Sequence, residues 1–241
     1  QQRRTMMRKD LRSPLQSRAL SSELGVVLEA DGSAQITMGS SKIVASVVGP
    51  TQPKYGRHEL FDRASIDVEV ELSSSVANNG MDKLQQKKNC ESFLKESLAT
   101  CIELQQFPRL LILFKVLVVS NDGSMLAVAL NTCVLALLDA GLPMKFVPNA
   151  VSLCSKNTAT ELFLDPSLEE ESEAAANYTF TIKPVPVNNT GNVEGELIVS
   201  NCSGNFSMDT VNTAISAAME ASQVPQAMMR SVVEAKVAPT V

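Results

Sequence analysis

Apolar and polar positions change period several times along this chain, and each change marks an element. Leu20–Glu29 and Ser33–Gly39 read as two strands joined by a tight turn at Ala30-Asp31-Gly32, and Lys42–Val48 as a third, closed by Gly49-Pro50. Together they predict an antiparallel meander. After a polar loop with Pro53, Tyr55 and Gly56, Ile66, Val68, Val70 and Leu72 alternate with Asp67, Glu69 and Glu71. That period of two predicts a half-buried strand with an acidic outer face.

The period then becomes helical. Over Met81–Leu104, the residues Leu84, Cys90, Phe93, Leu94, Leu98, Cys101 and Ile102 fall largely on one face. Pro108 opens an apolar strand running to Ser120. Asn121-Asp122-Gly123-Ser124 offers turn and N-cap chemistry for a helix over Met125–Asp139, which Gly141 and Pro143 stop. Leu110–Val119 and Met125–Leu138 are both too short to span a membrane as helices, and both read as deeply buried core. Strands follow at Ala150–Ser155, Glu161–Leu164, Ala174–Val185 and Glu194–Ser200, then a helix from Asp209 to Val237 with a break at Pro225. The expectation is an α+β fold of one domain over residues 17–241, preceded by a flexible basic arm over residues 1–16.

Composition narrows the function classes. The 241 residues are 44% hydrophobic and 20% charged, with a net charge of −5. Such a balance argues against a surface that grips nucleic acid throughout. The stretch over residues 1–18 departs from it: Arg3, Arg4, Arg8, Lys9, Arg12 and Arg18 stand against Asp10 alone. It reads either as a solvated tail or as a contact for RNA or an acidic neighbour. The 5 cysteines form no C-x-x-C pair and read as reduced core thiols of a nuclear or cytosolic protein. No stretch reads as a signal peptide, so the four N-x-[ST] tripeptides, among them those at Asn177, Asn201 and Asn205, are expected to be chance matches.

Local motifs supply little chemistry. His58 is the only histidine and lies in the polar loop without a flanking triad motif. There is no P-loop, no G-x-G-x-x-G and no metal-ligand cluster; neither cofactor nor metal is expected. Glu169-Glu170-Glu171-Ser172-Glu173 reads as a solvated turn or helix start.

The order of motifs carries more. Arg18-Ala19 with Glu23-Leu24-Gly25-Val26, then Ala30-Asp31-Gly32-Ser33-Ala34, then Lys42–Pro50 resemble the opening strands of the RNase PH superfamily. Val118-Val119-Ser120-Asn121-Asp122-Gly123-Ser124 and Leu135–Pro143 resemble its phosphate-bearing strand–turn–helix. Leu164-Asp165-Pro166 and the glutamate run resemble the segment delivering catalytic carboxylates. The resemblance spans roughly residues 17–235 and implies the RNase PH fold (ribosomal protein S5 domain 2-like), with mixed and antiparallel sheets packed with helices. The D-G-S-A turn favours the compact exosome branch resembling the archaeal catalytic subunit.

Active members of that family catalyse phosphorolysis, in which phosphate attacks the 3′-terminal phosphodiester and releases a nucleoside diphosphate. That chemistry needs cations to hold two anions together and a carboxylate near the scissile bond. By resemblance, Glu96 stands where an R-S-L motif has arginine, and Leu126 replaces the arginine of a G-T-R-T stretch. Glu171 and Asn177 fall where active members carry two aspartates. At Glu96, like charges ~4 Å apart would cost on the order of 4 kcal/mol at an effective dielectric near 20.

The resemblance therefore implies a non-catalytic subunit of the eukaryotic RNA exosome ring, supporting 3′-to-5′ processing and degradation of rRNA and other RNAs. Its implied partners are other RNase-PH-like ring subunits, paired as heterodimers in a six-member ring, and S1/KH cap subunits. A separate hydrolytic nuclease and RNA in the central channel complete the set, with no membrane. The implied localisation is nucleus and nucleolus, also cytoplasm. Arg57 and Arg63 are candidate channel-facing RNA contacts, besides Arg3, Arg4, Arg8, Lys9 and Arg12 of the arm. Two other readings stand beside this one: an active phosphate-dependent exoribonuclease supported by Glu171, and a free-standing RNA-binding module built on the arm.

Overall fold

The computed structural model describes residues 8, 10–53, 59–73, 80–156, 161–184 and 195–237. A five-stranded sheet contains β1 (Leu20–Leu24), β2 (Gly32–Met38), β3 (Ser41–Thr51), β4 (Ser65–Leu72) and β5 (Leu111–Ser120), in the order β1-β2-β3-β5-β4. Only β4 and β5 run parallel, joined through α1 (Gly80–Cys101) and a short 3-10 turn at Leu104–Gln106. Helix α2 (Met125–Ala140) leads to a four-stranded antiparallel sheet of β6 (Asn149–Ser155), β7 (Leu162–Leu164), β8 (Ala176–Pro184) and β9 (Gly195–Gly204), ordered β7-β6-β8-β9. The short α3 (Leu168–Glu173) precedes β8, and α4 (Met208–Ala221) and α5 (Gln223–Val237) follow β9.

Helix α2 lies between the sheets, against β2 and β3 on one side and β6 on the other. Every residue from Ala127 to Leu137 is buried, which explains a helix apolar almost all round. Its polar Asn131 pairs with Ala150 of β6 through both side-chain atoms, donating to the carbonyl at 3.0 Å and accepting the N–H at 2.8 Å. Helix α1 packs on β4, and its Ser97 hydroxyl lies 3.2 Å from the Thr181 hydroxyl of β8. One apolar cluster therefore runs from the first sheet through both helices; a second lies between the other sheet and α4.

Four expectations change. β1 stops at Leu24 because Gly25 takes φ +69° and its N–H turns to Ser33 O at 2.8 Å. Ala30-Asp31-Gly32 thus closes a longer loop, in which Asp31 accepts the Gly49 N–H at 2.8 Å. β5 is buried on one face only: Ile112, Phe114, Val116 and Val118 face the core, whereas Lys115 and Leu117 are exposed. The last helix breaks at Ser222, not Pro225, which sits in the first turn of α5 where no intrahelical N–H is needed. Ser124 does not cap α2 with its side chain, because its left-handed backbone (φ 56°) turns the hydroxyl to donate to Pro166 O at 3.1 Å.

Candidate functional site

Two turns meet at the start of α2. In the first, Asn121 to Ser124, Gly123 has φ +87°, and a Cβ there would strike the Pro166 carbonyl and come within 2.6 Å of Ser167. Only glycine permits this approach. Ser41 of β3 pins the turn, accepting the Asp122 N–H at 2.8 Å and donating to Gly123 O at 3.1 Å. The second turn, Asp165 to Ser167, starts α3 through a capping box: Ser167 accepts the Glu170 N–H, and Glu170 accepts the Ser167 N–H at 3.0 Å.

Arg18 joins the turns. It donates to Asp165 Oδ2 at 2.9 Å and Oδ1 at 2.7 Å, and to the carbonyls of Asp122 (2.6 Å), Gly123 (3.3 Å) and Pro166 (3.3 Å). Burial alone would raise the Asp165 pKa, but hydrogen bonds and charge from Arg18 outweigh it and hold the carboxyl below its ordinary value.

Beside these turns opens a cleft of about 260 Å³. Gln86 and Asn89 of α1 form one wall, Asn121, Met125 and Leu126 a second, and Leu168 and Glu171 of α3 a third; Ser152, Thr179, Asn177, Asn201 and Ser203 of the second sheet complete it. None of these residues is Lys or Arg, and Glu171 alone is ionisable. Amides and hydroxyls can orient a polar ligand, but they cannot neutralise phosphate.

Glu171 makes the disparity sharper. Its Oε1 accepts the Ser124 N–H at 2.6 Å, so the chain's own carboxylate occupies a backbone donor at the start of α2. Burial pushes its pKa up, against this bond and the charge of Arg18. Asn177 donates to Glu171 O at 3.1 Å, while its buried Oδ1 has no hydrogen-bond partner.

The structure thus brings Leu126, Glu171 and Asn177 to one cleft. Glu96 does not join them. It is exposed, two turns or about 10 Å beyond Asn89 along α1. The neighbouring Ser97 and Leu98 are buried packing residues on the core-facing side of the helix. Gln86, Asn89, Asn201 and Ser203 carried no sequence signal as cleft residues; only the fold assembles them.

The basic arm is also corrected where it is described. Arg8 is buried at 4% exposure, forked onto Glu170 at 2.9 and 2.6 Å and bonded to Leu164 O at 2.8 Å, with Phe163 beneath its guanidinium. Arg12 pairs with Asp10 and Asp165 and donates to Gln16 O. Internal carboxylates and carbonyls hold both guanidinia, which leaves little for RNA. Arg63 is exposed beside Asp62. Arg3, Arg4, Lys9, Arg57 and His58 lie outside the described residues. Among those described, no cluster of His, Cys, Asp or Glu could hold a metal, and no helix is long and apolar enough to cross a membrane.

Comparison with known proteins places this architecture. Residues 16–143 match the model of the 3′ exoribonuclease family, domain 1 (RNase PH). The chain is 33% identical to the exosome complex component rrp46 of Schizosaccharomyces pombe over 139 residues, 57% of this chain and 58% of that one. It is 31% identical to the exosome complex exonuclease RRP46 homolog of Arabidopsis thaliana over 171 residues, 70% of this chain and 67% of that one. The crystal structure of rice Rrp46 superposes with a TM-score of 0.79 at 28% identity, covering 94% of this chain and all (100%) of that one. An Archaeoglobus fulgidus exosome with RNA bound to the active site shares the fold, with a TM-score of 0.71 at 18% identity and 92% of each chain covered. With its two sheets, its Gly123 turn and the helix α2 between them, the chain belongs to the RNase PH family of 3′ exoribonucleases.

Proposed function

We propose that this chain is a non-catalytic subunit of an RNA exosome ring. The cleft carries the reading: where phosphorolysis needs cations around two anions, its lining among the described residues offers one carboxylate and no Lys or Arg. Leu126 puts a hydrocarbon at the start of α2, and Glu171 already engages the Ser124 N–H. Relatives named as exosome components support membership of the ring. The outer face of the first sheet supports assembly, since Val44, Val48 and Leu113 remain part-exposed and Leu117 exposed on strands whose other face is core. The implied partners are other RNase-PH-like subunits, S1/KH caps and a separate hydrolytic nuclease served by RNA in the channel, in nucleus, nucleolus and cytoplasm.

A phosphorolysis assay tests this directly, with 3′-labelled RNA and inorganic phosphate, on the chain alone and co-expressed with ring subunits. The expected result is stable co-purification and no nucleoside diphosphate. Phosphate-dependent release that disappears in Glu171→Gln would establish an enzyme instead.

A further inference from the structure

The most exposed aromatic side chain described in the structure is Phe61, at 77% exposure, just before β4. The Arg109 guanidinium stacks over its ring, 5.1 Å from the centroid. This arrangement is held by the backbone. Arg109 takes φ 63°, a left-handed conformation uncommon for a long side chain, and its N–H donates to Leu60 O at 2.9 Å. The bond ties the Phe61 loop to the chain entering β5, so ring and guanidinium are positioned together. Glu59 lies 3.8 Å from Arg109, and Asp62 is 3.9 Å from the exposed Arg63.

We infer that Phe61 and Arg109 form a stacking platform for a base of single-stranded RNA. An aromatic face is sequence-tolerant because every base has a π-face, and a guanidinium plane stacks equally well on bases. The surroundings favour RNA over a protein partner. Charged side chains are depleted from the cores of protein interfaces, yet Phe61 stands among exposed Asp62, Arg63 and Arg109 and part-exposed Glu59. The platform is separate from the cleft: β5 runs from beside Arg109 to the Asn121 turn, about 30 Å at roughly 3.3 Å per residue. It could hold RNA although the cleft cannot do chemistry on it. The inference rests on the reading that this chain serves an RNA-handling ring, and adds where that RNA is touched.

The test is fluorescence anisotropy of a labelled single-stranded oligouridine with the full chain, repeated on the co-purified ring. Phe61→Ala should weaken binding about tenfold with an unchanged salt slope, while Phe61→Trp retains affinity. Arg63→Ala should instead lower the salt slope by about one. Thermal melting checks that Phe61→Ala still folds, as expected for so exposed a side chain. Wild-type affinity in Phe61→Ala, or no RNA binding by the wild type, overturns the platform. So does loss of ring partners with RNA affinity intact, which would make Phe61 a protein contact. A chain that never joins the ring yet loses RNA affinity in Phe61→Ala would sink the ring reading and keep the platform.

Discussion

Arg18 and Asp165 face each other as a buried fork, with two hydrogen bonds of 2.9 and 2.7 Å between side chains 7% and 6% exposed. The pair locks β1's approach to both turns of the cleft, because Arg18 also takes the carbonyls of Asp122, Gly123 and Pro166. The consequence is a structural use for residues in motifs that, by resemblance, deliver catalytic groups.

Breaking that fork on one side leaves an uncompensated buried charge. Asp165→Ala should destabilise the chain by about 3–5 kcal/mol, and Arg18→Met should cost a similar amount. The double variant should lose less than the two added, because each single change strands the other partner. Urea titration of the three variants measures this.

Acid should act through Asp165 and Glu170, both held below their ordinary pKa by arginines despite burial. Their stabilisation is fully present above the unfolded carboxylate range and is lost as pH falls through the lower folded values. Glu171 has the opposite sign: its pKa is raised by burial, so its ionisation costs stability as pH rises above the ordinary carboxylate value. Glu171→Gln should therefore match or exceed wild-type stability at pH 7, since an amide oxygen can still accept the Ser124 N–H. Glu171→Ala should be less stable than Glu171→Gln. Melting temperatures from pH 3 to 7 distinguish these.

Gly123 and Gly141 flank α2, both with positive φ, and differ in their surroundings. At Gly123 a Cβ would collide with Pro166 and Ser167; at Gly141 it would meet nothing within 4 Å. Gly141→Ala should cost about 1–2 kcal/mol of backbone strain alone. Gly123→Ala should cost more and separate the two turns, visible as faster amide exchange in Ser124 and Glu171.

Thiol accessibility should divide the cysteines. Burial pushes the thiol pKa of Cys90, Cys101 and Cys154 up to about 12 and holds that of Cys133 well above its ordinary value, while Cys202 on β9 is part-exposed. A native chain treated with a thiol reagent at pH 8 should react first at Cys202, and rapidly at the other four only after unfolding.

Much of the fold was legible because its signals are local. The alternation of Ile66, Val68, Val70 and Leu72 located β4 with the bounds observed, and the apolar run with Gly141 located α2 nearly to the residue. Periodicity could not say that β5 buries one face only, since an apolar run looks the same whether its outer face is covered or not. The arm misled for a related reason: charge is visible in sequence, but the carboxylate that neutralises Arg8 lies 162 residues away.

The sequence by itself determined which segments become strands and helices, where glycine must turn the chain, and that Leu126 and Asn177 bring no charge to the cleft. Those properties follow from side-chain size, polarity and backbone freedom, which each residue carries alone. The tertiary structure decided that Glu96 stays outside the cleft, that Gln86 and Asn89 face it, and that Glu171 accepts the Ser124 N–H. Those depend on how helices rotate and strands register as they bury a common core, and that packing is settled by the chain as a whole.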